Sequence, residues 1–170
     1  FLLYLCHKDN NLQSSMRKEQ KGTDSKKAVK KVVKKQPVKK VPKAKLSPVK
    51  VVENKEGVKA VNVIANAMLD KKAKNVCSLD LRRVGTSICD FFVICNAEST
   101  TQVRAIADNV EDEMIVKCDK KPVREQGKEN SFWIILDYGD VVVHIFQTQY
   151  REFYRLEDLW NDCKKTTYED

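Results

Sequence analysis

Apolar residues fall at i, i+3, i+4, i+7 and i+8 along Val61, Ile64, Ala65, Met68 and Leu69. That spacing predicts one buried stripe of an amphipathic helix starting near Gly57. Asp70, Lys71, Lys72 and Lys74 end it in charge. From Val76 to Leu81 apolar and polar residues alternate, which predicts a strand. Cys89 to Cys95 is almost continuously apolar and rich in β-formers, as suits a central strand covered on both faces. Ser99-Thr-Thr-Gln102 has the spacing of a capping box. The stripe Val103, Ile106, Ala107, Val110 and Met114 behind it predicts a second helix ending near Lys117.

Pro122 to Glu125 reads as a short strand and Gln126 to Asn130 as a polar turn. Ser131–Asp137 and Asp140–Phe146 carry the strongest strand patterns, apolar on both faces, with Tyr138-Gly139 between them. Gly139 can supply the positive φ of a tight hairpin. Arg151 to Cys163 is expected to close the domain helically, with Phe153, Leu156, Leu159 and Trp160 at core spacing. The order helix, strand, strand, helix, three strands, helix predicts an α/β fold with a mixed five-stranded sheet flanked by helices. About 110 residues suffice for one core.

Residues 17 to about 55 break the pattern. They are mostly Lys, Val, Pro and Ala, with too little apolar bulk to offset backbone entropy, and predict a disordered tail over 1–55. The ordered domain is expected over 56–165, with 166–170 as a C-terminal tail. Met16 directly precedes the Lys-rich stretch, and translation is expected to start there, leaving 1–15 untranslated.

Charge sharpens this division. Arg17 to Lys50 holds fourteen basic and two acidic residues, a balance of +12. Glu56 to the C-terminus holds sixteen basic and twenty acidic residues, a balance of −4. The basicity therefore belongs to the tail. Lys30, Lys31, Lys34, Lys35, Lys39 and Lys40 are its candidates for loose, salt-sensitive contact with RNA phosphates. A mildly acidic domain is better suited to a basic protein partner. No apolar run approaches the roughly eighteen residues that span a bilayer, so no membrane partner is expected.

Catalytic patterns are not found. The chain has two histidines, His7 and His144, and six cysteines, none in C-x-x-C spacing. A zinc or dithiol site is not expected, and the cysteines in apolar surroundings read as reduced thiols in a cytosol-like compartment. There is no Gly-rich phosphate loop and no G-x-S-x-G. Asp137 and Asp140 flank a turn at spacing three, whereas a pair facing one way from a strand needs spacing two. Turn hydrogen bonding explains them adequately. His144 shares a strand face with Val142 and Phe146, as a core or rim residue. Trp133, Tyr138, Tyr154 and Arg151 are of the types that carry energy at protein interfaces. The pattern favours a binding module without cofactor or metal over an enzyme.

Several segments resemble the RsfS/Iojap family of ribosomal silencing factors in order and spacing: D-K-K-A from Asp70, D-F-F-V-I from Asp90, S-T-T-Q-V-R-A-I-A-D from Ser99, W-I-I-L-D-Y-G-D-V-V-V-H-I-F from Trp133 and R-E-F-Y-R-L-E-D-L-W from Arg151. The resemblance covers about residues 56–163. It implies a nucleotidyltransferase-like fold without catalysis and docking on the intersubunit face of the large ribosomal subunit through ribosomal protein fourteen. Steric exclusion of the small subunit would then repress translation in the cytoplasm. A homodimer is compatible with it. On this reading Trp133 is the anchor, Asp137, Tyr138 and Asp140 face basic groups, His144 lies at the rim, and Arg151 and Tyr154 complete the face. The alternatives are a large-subunit assembly factor, as for plant and mitochondrial relatives, and a residual nucleotidyltransferase. The chain departs from the family at Asn96-Ala97-Glu98, between the second strand and the capping box, where a Gly is usual; the difference bears only on the local loop conformation.

Overall fold

The computed structural model describes residues 54–83 and 89–169. Met16 and the tail lysines Lys30, Lys31, Lys34, Lys35, Lys39 and Lys40 lie outside the described residues.

Helix α1 (Lys55–Asp70) buries Val61, Ile64, Ala65 and Met68, as the stripe predicts, while Leu69 is only partly buried. Its N-cap is Asn54, whose side-chain oxygen accepts from Gly57 N at 2.7 Å while Nδ2 donates to Asp90 at 2.7 Å. Strands β1 (Lys74–Asp80) and β2 (Phe91–Ala97) follow, all seven residues of β2 being buried. Asn96 and Ala97, where the family usually carries a Gly nearby, are the last residues of β2. Helix α2 spans Thr100–Cys118. Half of the expected capping box forms: Ser99 Oγ accepts from Gln102 N at 3.2 Å. The Gln102 side chain instead donates to the Lys71 and Lys72 carbonyls at 3.2 and 3.0 Å. Carbonyls at the end of a helix lack intrahelical partners and compete well for such a donor.

Strands β3 (Arg124–Gln126), β4 (Trp133–Asp137) and β5 (Val141–Gln147) form the other half of the sheet, with β3 at its edge. Its order is β3-β4-β5-β2-β1-β6, with β2 and β5 parallel and every other pair antiparallel. Helices α1 and α2 cover one face through a core that includes Ile64, Met68, Val93, Ile106, Val110, Leu136, Val143 and Ile145. Phe92, Ile94, His144 and Phe146 lie on strand positions that alternate with that core and are fully buried. They are reached from the chain beyond β5, as the Phe92–Trp160 ring contact at 5.7 Å shows.

That closing segment differs from the expected helix. α3 spans only Thr148–Tyr154 and a 3-10 turn follows over Leu156–Trp160. Arg155 adopts φ 45° and returns its N–H to the Arg151 carbonyl at 2.9 Å. This left-handed step resets the helical phase. Leu156 is buried, whereas Phe153 and Leu159, expected in the core, are 51% and 45% exposed. A sixth strand, β6 (Lys164–Tyr168), pairs antiparallel with the free edge of β1. The sheet is therefore six-stranded, and residues 166–168 are strand rather than tail.

Candidate docking site

Trp133 opens β4 opposite Phe146 of β5. Its position depends on the preceding turn, where Gly127 has φ 83° and a Cβ would stand 1.9 Å from the Trp133 carbonyl oxygen. No other residue fits that approach. The indole stacks on Phe146 at 4.8 Å and meets Tyr154 of α3 at 5.0 Å. Its Nε1 donates to His144 Nδ1 at 3.3 Å. Indole nitrogen is only a donor, so Nδ1 accepts and the imidazole proton sits on Nε2, which has no hydrogen-bond partner. His144 is completely buried, with Phe92 edge to face at 4.9 Å. Burial lowers its pKa to about 3, so the ring is neutral. His144 is thus a core residue beneath Trp133 and not at a rim: the face that strand alternation gives it is covered.

Asp137 and Asp140 lie at the other end of β4 and β5. Asp137 Oδ1 accepts from Gly139 N at 2.8 Å, and Gly139 has φ 85°. Asp140 is half-exposed, 3.8 Å from Lys120 Nζ. Tyr138 turns into the α1/α2 core, its hydroxyl buried without a partner, and burial holds the phenol above its ordinary value. Trp133 and Asp137 stand at opposite ends of β4, about 13 Å apart at roughly 3.3 Å per residue, and Asp140 lies one turn beyond. The seven sequence-selected residues therefore form three groups. Trp133 reaches both His144 and Tyr154; Asp137, Tyr138 and Asp140 share the hairpin end; Arg151 extends from α3 towards β1 and β2.

Arg151 makes an internal network. Nη1 donates to the Asn75 carbonyl (2.7 Å) and Asn96 Oδ1 (2.9 Å), Nη2 to Glu157 Oε1 (2.8 Å) and Cys77 Sγ (3.4 Å), and Nε to Glu157 Oε2 (3.2 Å). Lys165 of β6 also reaches Glu157, at 2.9 Å. Although burial opposes ionisation, bonds from Arg151 and Lys165 hold the Glu157 carboxyl down at about 2. Burial pushes the Cys77 thiol up to about 11 and Cys89 up to about 12, so both are protonated. Among the described residues no group of His, Cys, Asp and Glu is arranged to hold a metal ion, and no helix is long and apolar enough to cross a membrane.

What remains at the surface is an aromatic ridge. Phe132 stacks on Tyr150 at 4.9 Å, and Tyr154 packs edge to face with Phe153 at 5.1 Å. Sequence reading selected Tyr154 but not Phe132 or Tyr150, and it assigned Phe153 and Leu159 to the core. Helical spacing alone cannot reveal a left-handed break at Arg155. Asn75, Asn96, Glu157 and Lys165 were also missed, because their partners lie far away in sequence.

This three-layer α/β domain with an exposed aromatic ridge on its C-terminal helix is the class that the geometry defines. The family described as "Ribosomal silencing factor during starvation" matches residues 54–170, and the chain belongs to that family. A ribosomal silencing factor RsfS of Halalkalibacterium halodurans is 38% identical over 103 residues, 61% of this chain and 86% of its own. The chloroplastic protein Iojap of Zea mays is 38% identical over 100 residues, 59% of this chain and 42% of its own. Mouse "mitochondrial assembly of ribosomal large subunit protein 1" is 28% identical over 102 residues, 59% of this chain and 44% of its own. A crystal structure from Bacillus halodurans superposes with a TM-score of 0.54 at 36% identity, covering 66% of this chain and 99% of that one.

Proposed function

We propose that this protein binds the large ribosomal subunit at ribosomal protein fourteen on the intersubunit face. There it blocks subunit joining and represses translation by occlusion, without catalysis. The observation that carries this reading is the family match, which takes in every described helix and strand. The buried, neutral His144 and the internally paired Arg151 fit a module that does no chemistry, since neither is presented to a reacting group.

We assign the docking face to the ridge on α3 and the 3-10 turn: Phe153 and Leu159 at the surface, Tyr154 beside them, Trp133 as the buried support. Aromatic groups on a rigid backing are common anchors of protein interfaces, and neighbouring apolar contacts such as Leu159 exclude water around them. Asp137 and Asp140 lie at the opposite end of the β4–β5 pair from that patch. Their role is longer-range attraction to a basic protein, as the mildly acidic domain favours. The Lys-rich tail adds salt-sensitive affinity for ribosomal RNA. The working compartment is the cytoplasm. The mouse relative, named for mitochondrial assembly of the ribosomal large subunit, supports a second reading, in which the protein acts in large-subunit assembly.

Co-sedimentation of the full chain with isolated subunits tests docking. Pelleting with the large subunit only is expected, and Phe153→Ala with Leu159→Ala should weaken it by about tenfold or more. Wild-type-like binding of the double variant would remove the ridge from the interface. Precursor particles accumulating in cells that lack the protein, without surplus translation in starvation, would favour the assembly reading.

A further inference from the structure

α3 has seven residues, none buried, and no side chain caps its N-terminus. A helix that short has no stability of its own in water. Its orientation, and therefore the direction in which Phe153 and Tyr154 point, must be fixed by other parts of the protein.

The fixing group is Arg151. A guanidinium has five N–H donors, and five bonds leave this one, to the Asn75 carbonyl, Asn96 Oδ1, Cys77 Sγ and both Glu157 oxygens. These partners sit on β1, β2 and the 3-10 turn. Asn96 is itself held, accepting from Asn75 Nδ2 at 3.1 Å and donating to Thr148 Oγ1 at 2.9 Å. Thr148 is the first residue of α3 and donates to the Ala97 carbonyl at 3.0 Å. The helix is thereby tied to the sheet at residues 148 and 151. A cavity of about 340 Å³ opens beside this network, but the guanidinium has no donor left to offer a ligand there.

We propose that Arg151 is a positioning residue: it locks α3 onto the ends of β1 and β2, so that Phe153 and Tyr154 are presented in one orientation, and does not itself touch the partner. This rests on the docking face assigned above. The gain is preorganisation: a helix ordered before encounter does not lose that freedom on binding. Lysine cannot replace the fork, because an ammonium has three donors diverging from a single point.

The test compares full-length wild type with Arg151→Lys, Glu157→Gln and Phe153→Ala, reading amide hydrogen exchange and affinity for isolated large subunits. Arg151→Lys and Glu157→Gln are expected to speed exchange over residues 148–160 by about tenfold, with α2 unchanged, and to weaken binding about tenfold. Phe153→Ala should weaken binding without altering exchange. Should Arg151→Lys not fold, Glu157→Gln carries the same comparison. Weaker binding with unchanged exchange in both variants would make Arg151 a direct contact and overturn the proposal, as would faster exchange with unaltered binding. If wild type binds no large subunit, the docking reading falls by itself. Exchange then decides alone whether Arg151 locks α3: unchanged exchange overturns the lock, and faster exchange upholds it.

Discussion

His144 shows what one buried residue does to the layer above it. The imidazole accepts from the Trp133 indole, and it is neutral because burial disfavours the cation. The unfolded chain protonates this ring near pH 6.5 and the folded protein only near pH 3. Between those values unfolding takes up a proton. The contribution to stability is therefore fully present above pH 6.5 and is lost progressively as pH falls towards 3. Urea unfolding at pH 7.5 and 5.0 should show wild type weaker at the lower pH and His144→Phe changing less. At pH 7.5 His144→Phe should itself be less stable by ~1–3 kcal/mol, because the indole N–H is left buried and unpaired. Parallel pH dependence in the two proteins would contradict this. The sequence places His144 on one face with Phe146 through simple alternation. It cannot say whether that face is covered, because the cover comes from residues 148–160, whose own path was misread.

At the scale of elements, the strands and the two long helices are legible because each carries its own period: 3.6 for Val61 to Leu69 and for Val103 to Met114, and near-continuous burial for β2, β4 and β5. β6 is not. Lys164-Lys-Thr-Thr-Tyr168 has no apolar face and becomes a strand by completing the β1 edge. Tyr168 reaches Ser78 at 3.1 Å and Lys165 reaches Glu157 at 2.9 Å. Ending the chain after Cys163 should expose that edge, an open pairing template. The truncated protein is expected to melt several degrees lower and to self-associate in light scattering, while still pelleting with large subunits. An unchanged melting temperature and a clean monomer would mean that β6 adds nothing to the fold. The closing helix was placed too late and made too long for the opposite reason: Phe153, Leu156, Leu159 and Trp160 have core spacing, and only the break at Arg155 turns Phe153 and Leu159 outward.

Over the whole molecule, charge divides the chain into a tail of +12 and a domain of −4. The two parts predict different responses to salt. Attraction of the tail to RNA falls steeply with ionic strength, whereas docking by an apolar ridge persists. The family resemblance was legible because the Trp133 to Phe146 segment combines two buried strands and a tight turn in one run. The site was only half legible. Residue types singled out Trp133 and Tyr154, but the division between the aromatic ridge and the acidic hairpin end appears only when the two are placed at opposite ends of the β4–β5 pair. The most direct test of the account is subunit joining. Large subunits are incubated with the full chain at moderate salt, small subunits are added, and coupled ribosomes are followed by light scattering. A dose-dependent loss of coupled particles, abolished by Phe153→Ala with Leu159→Ala, is the predicted result. Undiminished joining with the protein bound to the large subunit would contradict occlusion.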